Sequence, residues 1–317
     1  MQTVLITGGT GLVGKKLSKL LVDKGYNIII LTRTLKDNHA AKQITFALWD
    51  VKKQTIDISA VQKADYIIHL AGAGVVAKKW TGSYKKEIVE SRTKSSELLV
   101  NTLKNNSHSV KCIVSASATG WYGEDKNTEH FFIEEEKPAD DFLGETCKLW
   151  EQSIEPAEAL NIRVCKLRTG IVLSKDGGAL AEFLKPLNFG IAGILSSGKQ
   201  VISWIHIDDL CRMYIAAIEN NAMHGSYNAV APMPVTNKTL TVKLAQAVKG
   251  KFYISMHVPK FILKIMMGSR SIEVLKSATV SSAKIKSTGF TFLYPSIDAV
   301  LNNLIPSPLP YRNGRPK

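Results

Sequence analysis

Gly8, Gly11 and Gly14 stand three residues apart, just after the apolar run Val4 to Ile6 and just before an amphipathic stretch from Leu12 to about Lys24, with Leu17, Leu20 and Leu21 on one face. A glycine turn between a strand and a helix suits one chemistry above others: holding the pyrophosphate of a dinucleotide. A side chain there would block the tight turn and keep the backbone away from the phosphates. The helix that follows offers unpaired N–H groups and the positive end of its dipole to the anion. The residues expected around the phosphates are Gly8, Thr10, Gly11, Leu12, Val13 and Gly14.

A second apolar run ends at Leu31-Thr32-Arg33. Selection of NAD usually places an acid near this point, to accept a hydrogen bond from the ribose 2′-OH. None is present, and Arg33 offers a fork of donors suited to a 2′-phosphate. NADP(H) is therefore the expected cofactor, ahead of NAD(H). Trp49-Asp50 ends a third strand, where Asp50 is expected to meet the adenine amino group. A fourth ends at His69-Leu70-Ala71-Gly72-Ala73-Gly74. Small residues at a strand's C-terminal end let the backbone approach a ligand, which adds Leu70, Ala71 and Gly72 to the cofactor set. Cys112, Cys147, Cys165 and Cys211 are widely spaced, with no Cys-x-x-Cys. They argue for a reducing compartment and against a zinc site, and no metal site is expected.

These strand ends share a crevice only if the strands are parallel. Strands are expected near 3–7, 27–32, 45–49, 66–70, 112–115 and 164–167, with helices between them, including 84–104 and 143–160, the latter ended by Asn161. Alternation of this kind implies a parallel sheet covered on both faces. Past Gly170 the pattern loosens: a helix opened by Gly177-Gly178 and running to about Leu187, a strand over 201–207, and a helix from Asp208, as N-cap, to Asn220. Ala231-Pro232 and Pro234 mark a boundary, beyond which helices are expected at 240–248 and 261–267. The stripe Phe261, Ile262, Ile265, Met266 reads as a core face, with a partner or membrane surface as the weaker alternative. The expected organisation is a nucleotide-binding domain over 1–232, with 170–200 contributing to a substrate lobe, a small C-terminal domain over 233–305, and a disordered tail over 306–317.

The chain of 317 residues carries a net charge of +14. From Thr241 onward twelve Lys/Arg face two acids, Glu273 and Asp298, so this segment supplies ten of those charges. They are scattered among apolar residues with no stripe of stacking aromatics, which favours a solvated face over a nucleic-acid site. The first strand begins at once, leaving no room for a leader segment. No apolar run reaches the roughly 20 residues that span a bilayer. A cytoplasmic protein is expected, with a small-molecule substrate as partner and neither nucleic acid nor a membrane; a homodimer is left open.

The turn Thr7-Gly8-Gly9-Thr10-Gly11-Leu12-Val13-Gly14 resembles that of the short-chain dehydrogenases and reductases. Ser117-Ala118-Thr119-Gly120-Trp121-Tyr122-Gly123 is similar to the Ser-Ala-Thr-x-Tyr-Gly segment of their extended members, with one extra residue. The resemblance implies a hydroxyl here that bonds the reacting oxygen: Ser117, or Thr119 as the fallback. The superfamily's Tyr-x-x-x-Lys pair is missing. Placing Glu151 four residues after the lysine position puts Cys147 there and Leu143 at the tyrosine; a shift by one gives Lys148 and Gly144. Tyr122 is the candidate replacement, with a packing role as the alternative.

Lys79-Trp80-Thr81, Glu90-Ser91-Arg92, Cys147-Lys148-Leu149-Trp150-Glu151, Leu167-Arg168-Thr169-Gly170, Asp176-Gly177-Gly178 and Trp204-Ile205-His206-Ile207-Asp208-Asp209 narrow the resemblance further. Together the motifs are similar to the atypical short-chain dehydrogenases known as epimerase family proteins, or sugar nucleotide epimerase-like proteins, with a small C-terminal domain of unknown function. That resemblance runs from Met1 to about Pro306. It implies an α/β, NAD(P)-binding Rossmann fold: a doubly wound parallel sheet with a small mixed C-terminal lobe. The implied activity is that of an NADP-dependent oxidoreductase or nucleoside-diphosphate-sugar epimerase-like enzyme, acting on an unidentified small polar substrate, with nucleotide sugars one candidate class. The alternative is a non-catalytic NADPH-binding sensor or scaffold.

Overall fold

The computed structural model describes residues 1–35, 42–125 and 130–305; the expected tail lies outside them. Its first half alternates β1 (Thr3–Thr7), α1 (Leu12–Asp23), β2 (Asn27–Thr32), β3 (Ile44–Asp50), β4 (Thr55–Ile56), α2 (Ile58–Gln62), β5 (Tyr66–His69), α3 (Gly82–Asn105), β6 (Cys112–Ala118), α4 (Phe142–Ile154) and β7 (Arg163–Thr169). Then come β8 (Ile171–Ser174), β9 (Gly177–Gly178), α5 (Ala179–Leu187), β10 (Ile191–Leu195), β11 (Val201–Ile202), β12 (Trp204–His206), α6 (Ile207–Glu219) and β13 (Gly225–Ala229). The chain closes with β14 (Val235–Thr236), α7 (Asn237–Lys249), β15 (Ile254–Val258), α8 (Lys260–Met267), α9 (Ser271–Leu275), α10 (Ala283–Ser287) and α11 (Ile297–Leu304).

Eight strands form one sheet in the order β13-β7-β6-β5-β1-β2-β3-β4, parallel except for the short β3–β4 pair. Both faces are covered, which is why the strands read as nearly continuous apolar runs. Val4 and Ile6 of β1 pack with α1 and α6 through Leu17, Leu21, Leu210 and Tyr214. Leu5, pointing the other way, packs with α2, α3 and α4 through Val61, Leu99 and Ile154. The direction of winding reverses at β1, flanked by β2 on one side and β5 on the other. The crevice outside the C-terminal ends of β1 and β5 is where such sheets bind ligands. A separate core joins two stretches of chain: Leu173, Leu180, Ala192 and Trp204 from the first, Leu240, Leu244, Val300 and Leu304 from the second.

Several elements differ from their sequence reading. The long helix stops at Ile154 and continues as a 3-10 turn over Glu155–Leu160, because Pro156 supplies no N–H to the α pattern. Asn161 ends that turn with φ of 59°. The strand expected over 201–207 is broken at Ser203, whose hydroxyl is drawn aside to the Ala278 carbonyl. His206, not Asp208, caps α6: its Nδ1 accepts the Asp208 N–H, while Asp208 pairs with Lys16 at 2.8 Å. The apolar stripe of α8 faces outward, with Phe261 63 %, Ile265 75 % and Met266 67 % exposed; Leu263 alone in that helix is buried.

β1, β5 and α3 are joined behind the glycine turn by one buried imidazole. The Thr7 hydroxyl accepts the N–H groups of Leu70 and Ala71, so its own hydrogen goes to Nδ1 of His69 at 2.7 Å. Nε2 therefore carries the ring proton and reaches the Ser95 and Ser96 hydroxyls, which donate onward to Arg92 O. His69 is fully buried and neutral; burial pushes its pKa from 6.5 down to about 3. The folded value is the lower one, so this stabilisation is complete above the unfolded value and is lost as pH falls toward the folded one. The slope reaches about 1.4 kcal/mol per pH unit. His69→Gln should lower stability at neutral pH and flatten the loss seen in urea denaturation between about pH 6.5 and about pH 4.5. Parallel curves for the two proteins would refute this role.

Candidate active site

The turn after β1 is built by contact as well as by conformation. Gly8 has φ of +68°, and a Cβ on it would lie 2.9 Å from the Leu70 carbonyl. On Gly14, in the first turn of α1, a Cβ would lie 2.5 Å from the Gly8 oxygen, so helix and turn touch backbone to backbone. Gly11 differs: its N–H donates to Gly8 O at 3.0 Å, and a Cβ there would meet only that oxygen, at 3.2 Å. It is exposed and caps α1 with no side-chain hydrogen bond, and the first turn carries no acid. The leading N–H groups of α1, from Leu12, Val13 and Gly14, thus have no side-chain acceptor among the described residues, the condition under which a helix start can accept an anion. Thr10 is exposed beside them.

Around this turn the other expected cofactor residues gather at neighbouring strand ends. Arg33 follows β2, is exposed, and has no hydrogen bond or ion pair among the described residues. Asp50 ends β3, with its Oδ1 accepting the N–H groups of Lys52 and Lys53 at 2.9 and 3.2 Å. Leu70 and Ala71 are half-buried and Gly72 is exposed, all just past β5.

Ser117 and Tyr122 belong to a closed polar network deeper in the molecule. Arg168 of β7 grips Glu151 of α4 through two bonds, Nε to Oε1 at 2.8 Å and Nη2 to Oε2 at 3.0 Å, with both residues 3 % exposed. Ser117, opposite Arg168 across the sheet, donates to Glu151 Oε1 at 2.7 Å, and Ser226 donates to Oε2 at 3.0 Å. Arg168 Nη1 donates to the Tyr122 oxygen at 3.1 Å and to Glu134 O at 2.9 Å, and its guanidinium lies 3.7 Å over the Trp121 ring. The Tyr122 hydroxyl donates to Asn228 Oδ1 at 2.7 Å, and its ring stacks on Phe132. Burial pushes the Tyr122 pKa up to about 12 despite Arg168. Glu134 completes the network by accepting the Asn228 N–H, and burial raises its pKa. Glu134, Ser226 and Asn228 carried no motif; the signal was a run of polar residues inside an otherwise strand-like segment.

Thr119, just past β6, is half-buried and reaches only the Thr169 carbonyl, at 3.5 Å. Gly120 faces α4: a Cβ on it would lie 3.3 Å from Leu143 Cβ and 3.7 Å from Cys147 Sγ. The Cys147 thiol donates to Ala118 O, and burial pushes its pKa up to about 12, so it is an inert neutral group. The C-terminal segment ties into this side: Arg270 donates to Val76 O at 2.6 Å, and Lys276 pairs at 2.6 Å with Asp141, the N-cap of α4. Among the described residues no His/Cys/Asp/Glu group is arranged to hold a metal, and no helix is long and apolar enough to cross a membrane.

Residues 4–230 match the model of the NAD dependent epimerase/dehydratase family, and residues 258–304 match a domain of unknown function, DUF1731. An epimerase family protein of Staphylococcus saprophyticus is 34% identical over 306 residues, covering 96% of this chain and 100% of the relative. The human epimerase family protein SDR39U1, solved with NADPH, superposes with a TM-score of 0.83 at 25% identity, over 96% of this chain and 99% of that one. A nucleoside-diphosphate sugar epimerase of Corynebacterium glutamicum superposes with a TM-score of 0.75 at 31% identity, over 96% of this chain and 58% of that one.

The network around Arg168 predicts the effect of breaking it. Glu151→Gln leaves a buried guanidinium without its counter-charge and should cost about 3 kcal/mol in denaturant unfolding. Pairing it with Arg168→Met should recover part of that loss, because the orphaned charge is then gone. Strict additivity of the two losses would refute the coupling.

Proposed function

The chain belongs to the NAD dependent epimerase/dehydratase family, and from that premise we propose that it is an NADP(H)-dependent oxidoreductase or epimerase-like enzyme acting on a small polar, nucleotide-linked substrate. The observation that carries this reading is the acid-free start of α1, without a side-chain cap, behind the Gly8–Gly11 turn, together with an exposed Arg33 that has no partner among the described residues, where an NAD-selective protein would hold an acid. The residues fit a dinucleotide: side chains at Gly8 or Gly11 would narrow the cradle, and donors already point into it. The human relative solved with NADPH supports the choice of NADP(H).

In this reading the N–H groups of Leu12, Val13 and Gly14 bind the pyrophosphate, with Thr10 at its rim, and Arg33 binds the 2′-phosphate. Asp50 borders the adenine, and Leu70, Ala71 and Gly72 form the floor toward the nicotinamide. The bound cofactor supplies a hydride acceptor or donor at C4 of its ring. Ser117 and Tyr122 support the end of β6, since their hydroxyl hydrogens go to Glu151 and Asn228. Thr119, the accessible hydroxyl one strand repeat beyond Ser117, orients the substrate oxygen. The Tyr122 proton stays on its oxygen at neutral pH, so the mobile proton comes from a substrate group or water held at Thr119 Oγ1.

A second reading, an NADPH-binding sensor or scaffold without turnover, is favoured by the missing tyrosine–lysine pair, whether the positions fall on Leu143 and Cys147 or on Gly144 and Lys148. Titration of the protein with NADPH, NADP and NAD, followed by single-turnover mixing with nucleotide sugars and carbonyl compounds, separates the two. Oxidation of bound NADPH by any of these compounds establishes the enzyme; tight binding with no oxidation favours the sensor.

Two variants test the cofactor assignment. Arg33→Ala should weaken NADPH by about 10-fold or more, the worth of a charge-assisted bond, while leaving NAD unchanged. Equal losses would remove the 2′-phosphate role. Gly11→Val should abolish nucleotide binding with the thermal transition preserved, because its side chain meets only one oxygen of the turn; unchanged binding would remove the pyrophosphate assignment.

A further inference from the structure

Two arginines lie at the C-terminal end of the sheet, and the chain treats them differently. Arg168 has its carboxylate, Glu151, in a two-bond grip. Arg92, from the middle of α3, is 8 % exposed and pairs with no carboxylate among the described residues. Its Nη1 donates to Ile88 O at 2.8 Å, which folds the side chain back along its own helix. The guanidinium then lies 4.8 Å from the centre of the Trp150 ring. On its other side is Gly72, where a Cβ would come within 3.2 Å of Arg92 Cζ. Burial lowers its pKa, and no carboxylate stands among the groups that act against this. A buried charge ordinarily has a partner. One carbonyl and one indole face leave most of this guanidinium's donors to be met by something else.

The location indicates what that is. Gly72 is exposed at the end of β5, on the opposite side of β1 from β2 and Arg33. If the adenosine half extends over β2, the other half must extend over β5, past Gly72. Arg92 is also next to Cys147, in one of the two registers the position at which the superfamily's lysine would bring a cation. Here α4 brings a neutral thiol, and the positive charge arrives from α3.

We propose that Arg92 binds the nicotinamide-side ribose phosphate of the dinucleotide, whose charge and hydroxyls supply the acceptors the guanidinium lacks within the chain. This rests on the NADP(H) reading above and adds a positioning residue to it. Gly72 must lack a side chain so that the guanidinium can reach the crevice beside it.

The test compares three nucleotides by calorimetry on wild type, Arg92→Lys and Arg92→Met. Adenosine 2′,5′-bisphosphate carries only the adenosine half; 2′-phospho-ADP-ribose adds the second ribose phosphate; NADPH adds the nicotinamide. For Arg92→Met, the bisphosphate should bind within about 2-fold of wild type, while the other two weaken by about 10-fold to 100-fold. Arg92→Lys keeps the charge without the fork and should fall between. Bisphosphate binding also reports that each variant is folded; if Arg92→Met does not fold, the Lys variant alone must show the selective loss. Equal changes for all three nucleotides, or a loss confined to NADPH, overturns the proposal. A wild type that binds none of them overturns the cofactor reading itself, which is a distinct result.

Discussion

Arg168 sits inside a sheet, where an uncompensated guanidinium would not be tolerated, and much of the site's architecture follows from how its charge is met. Glu151 must come from α4 to reach it, which fixes how far along β6 that helix lies. Ser117 and Ser226 fill the remaining acceptor sites of the carboxylate and thereby tie β6 and β13 to the same point. Tyr122 and the Glu134 carbonyl take the other end of the guanidinium, which draws the segment after β6 down over the sheet. Phe132 of that segment then pairs through its backbone with Thr279 and Ser281 from near the C-terminus. One buried ion pair thus connects the large sheet to the segment after β6 and, through it, to residues near the C-terminus.

That connection changes the meaning of the polar residues at the end of β6. In a protein with the usual tyrosine and lysine, a serine and a tyrosine here would read as reaction machinery. In this chain their hydrogens are committed to Glu151 and Asn228, and the phenol is held well above neutral pH by burial. Leu143 and Cys147 make the facing surface of α4 apolar. Among the described residues the crevice is therefore rich in backbone donors at the start of α1 and poor in groups able to exchange a proton. Such a site suits a substrate that brings its own acid or base, or water held in place of one.

The glycine turn was legible because its constraints are local. A positive φ at Gly8 and backbone contact at Gly14 act within a dozen residues of sequence, so the residue types reveal them. The sheet was legible for a similar reason: burial on both faces writes an apolar run into each strand. β13 escaped notice because Ser226 and Asn228 serve the network around Arg168, and neither they nor Gly225 favour a strand. The α8 stripe was misread because periodicity identifies an apolar face without saying what it meets. His206 displaced Asp208 as a cap because Lys16, distant in sequence, claims the aspartate.

The sequence by itself determined the apolar strands, the glycine turn, the missing acid after β2 and the absence of the tyrosine–lysine pair. Each is a property of residue type at short spacing, where sterics and hydrogen-bonding capacity act directly. Only the tertiary structure decided which polar groups are spent and which are free. Ser117 and Thr119 are two residues apart and chemically alike, yet one is bound to a carboxylate 34 positions away and the other is left near the crevice. Arg92 and Arg168 are the same residue type, yet Arg168 has its counter-charge from α4 and Arg92, beside an exposed glycine, has none among the described residues. Charge pairing and burial depend on which distant segments meet, and that is information no local pattern holds.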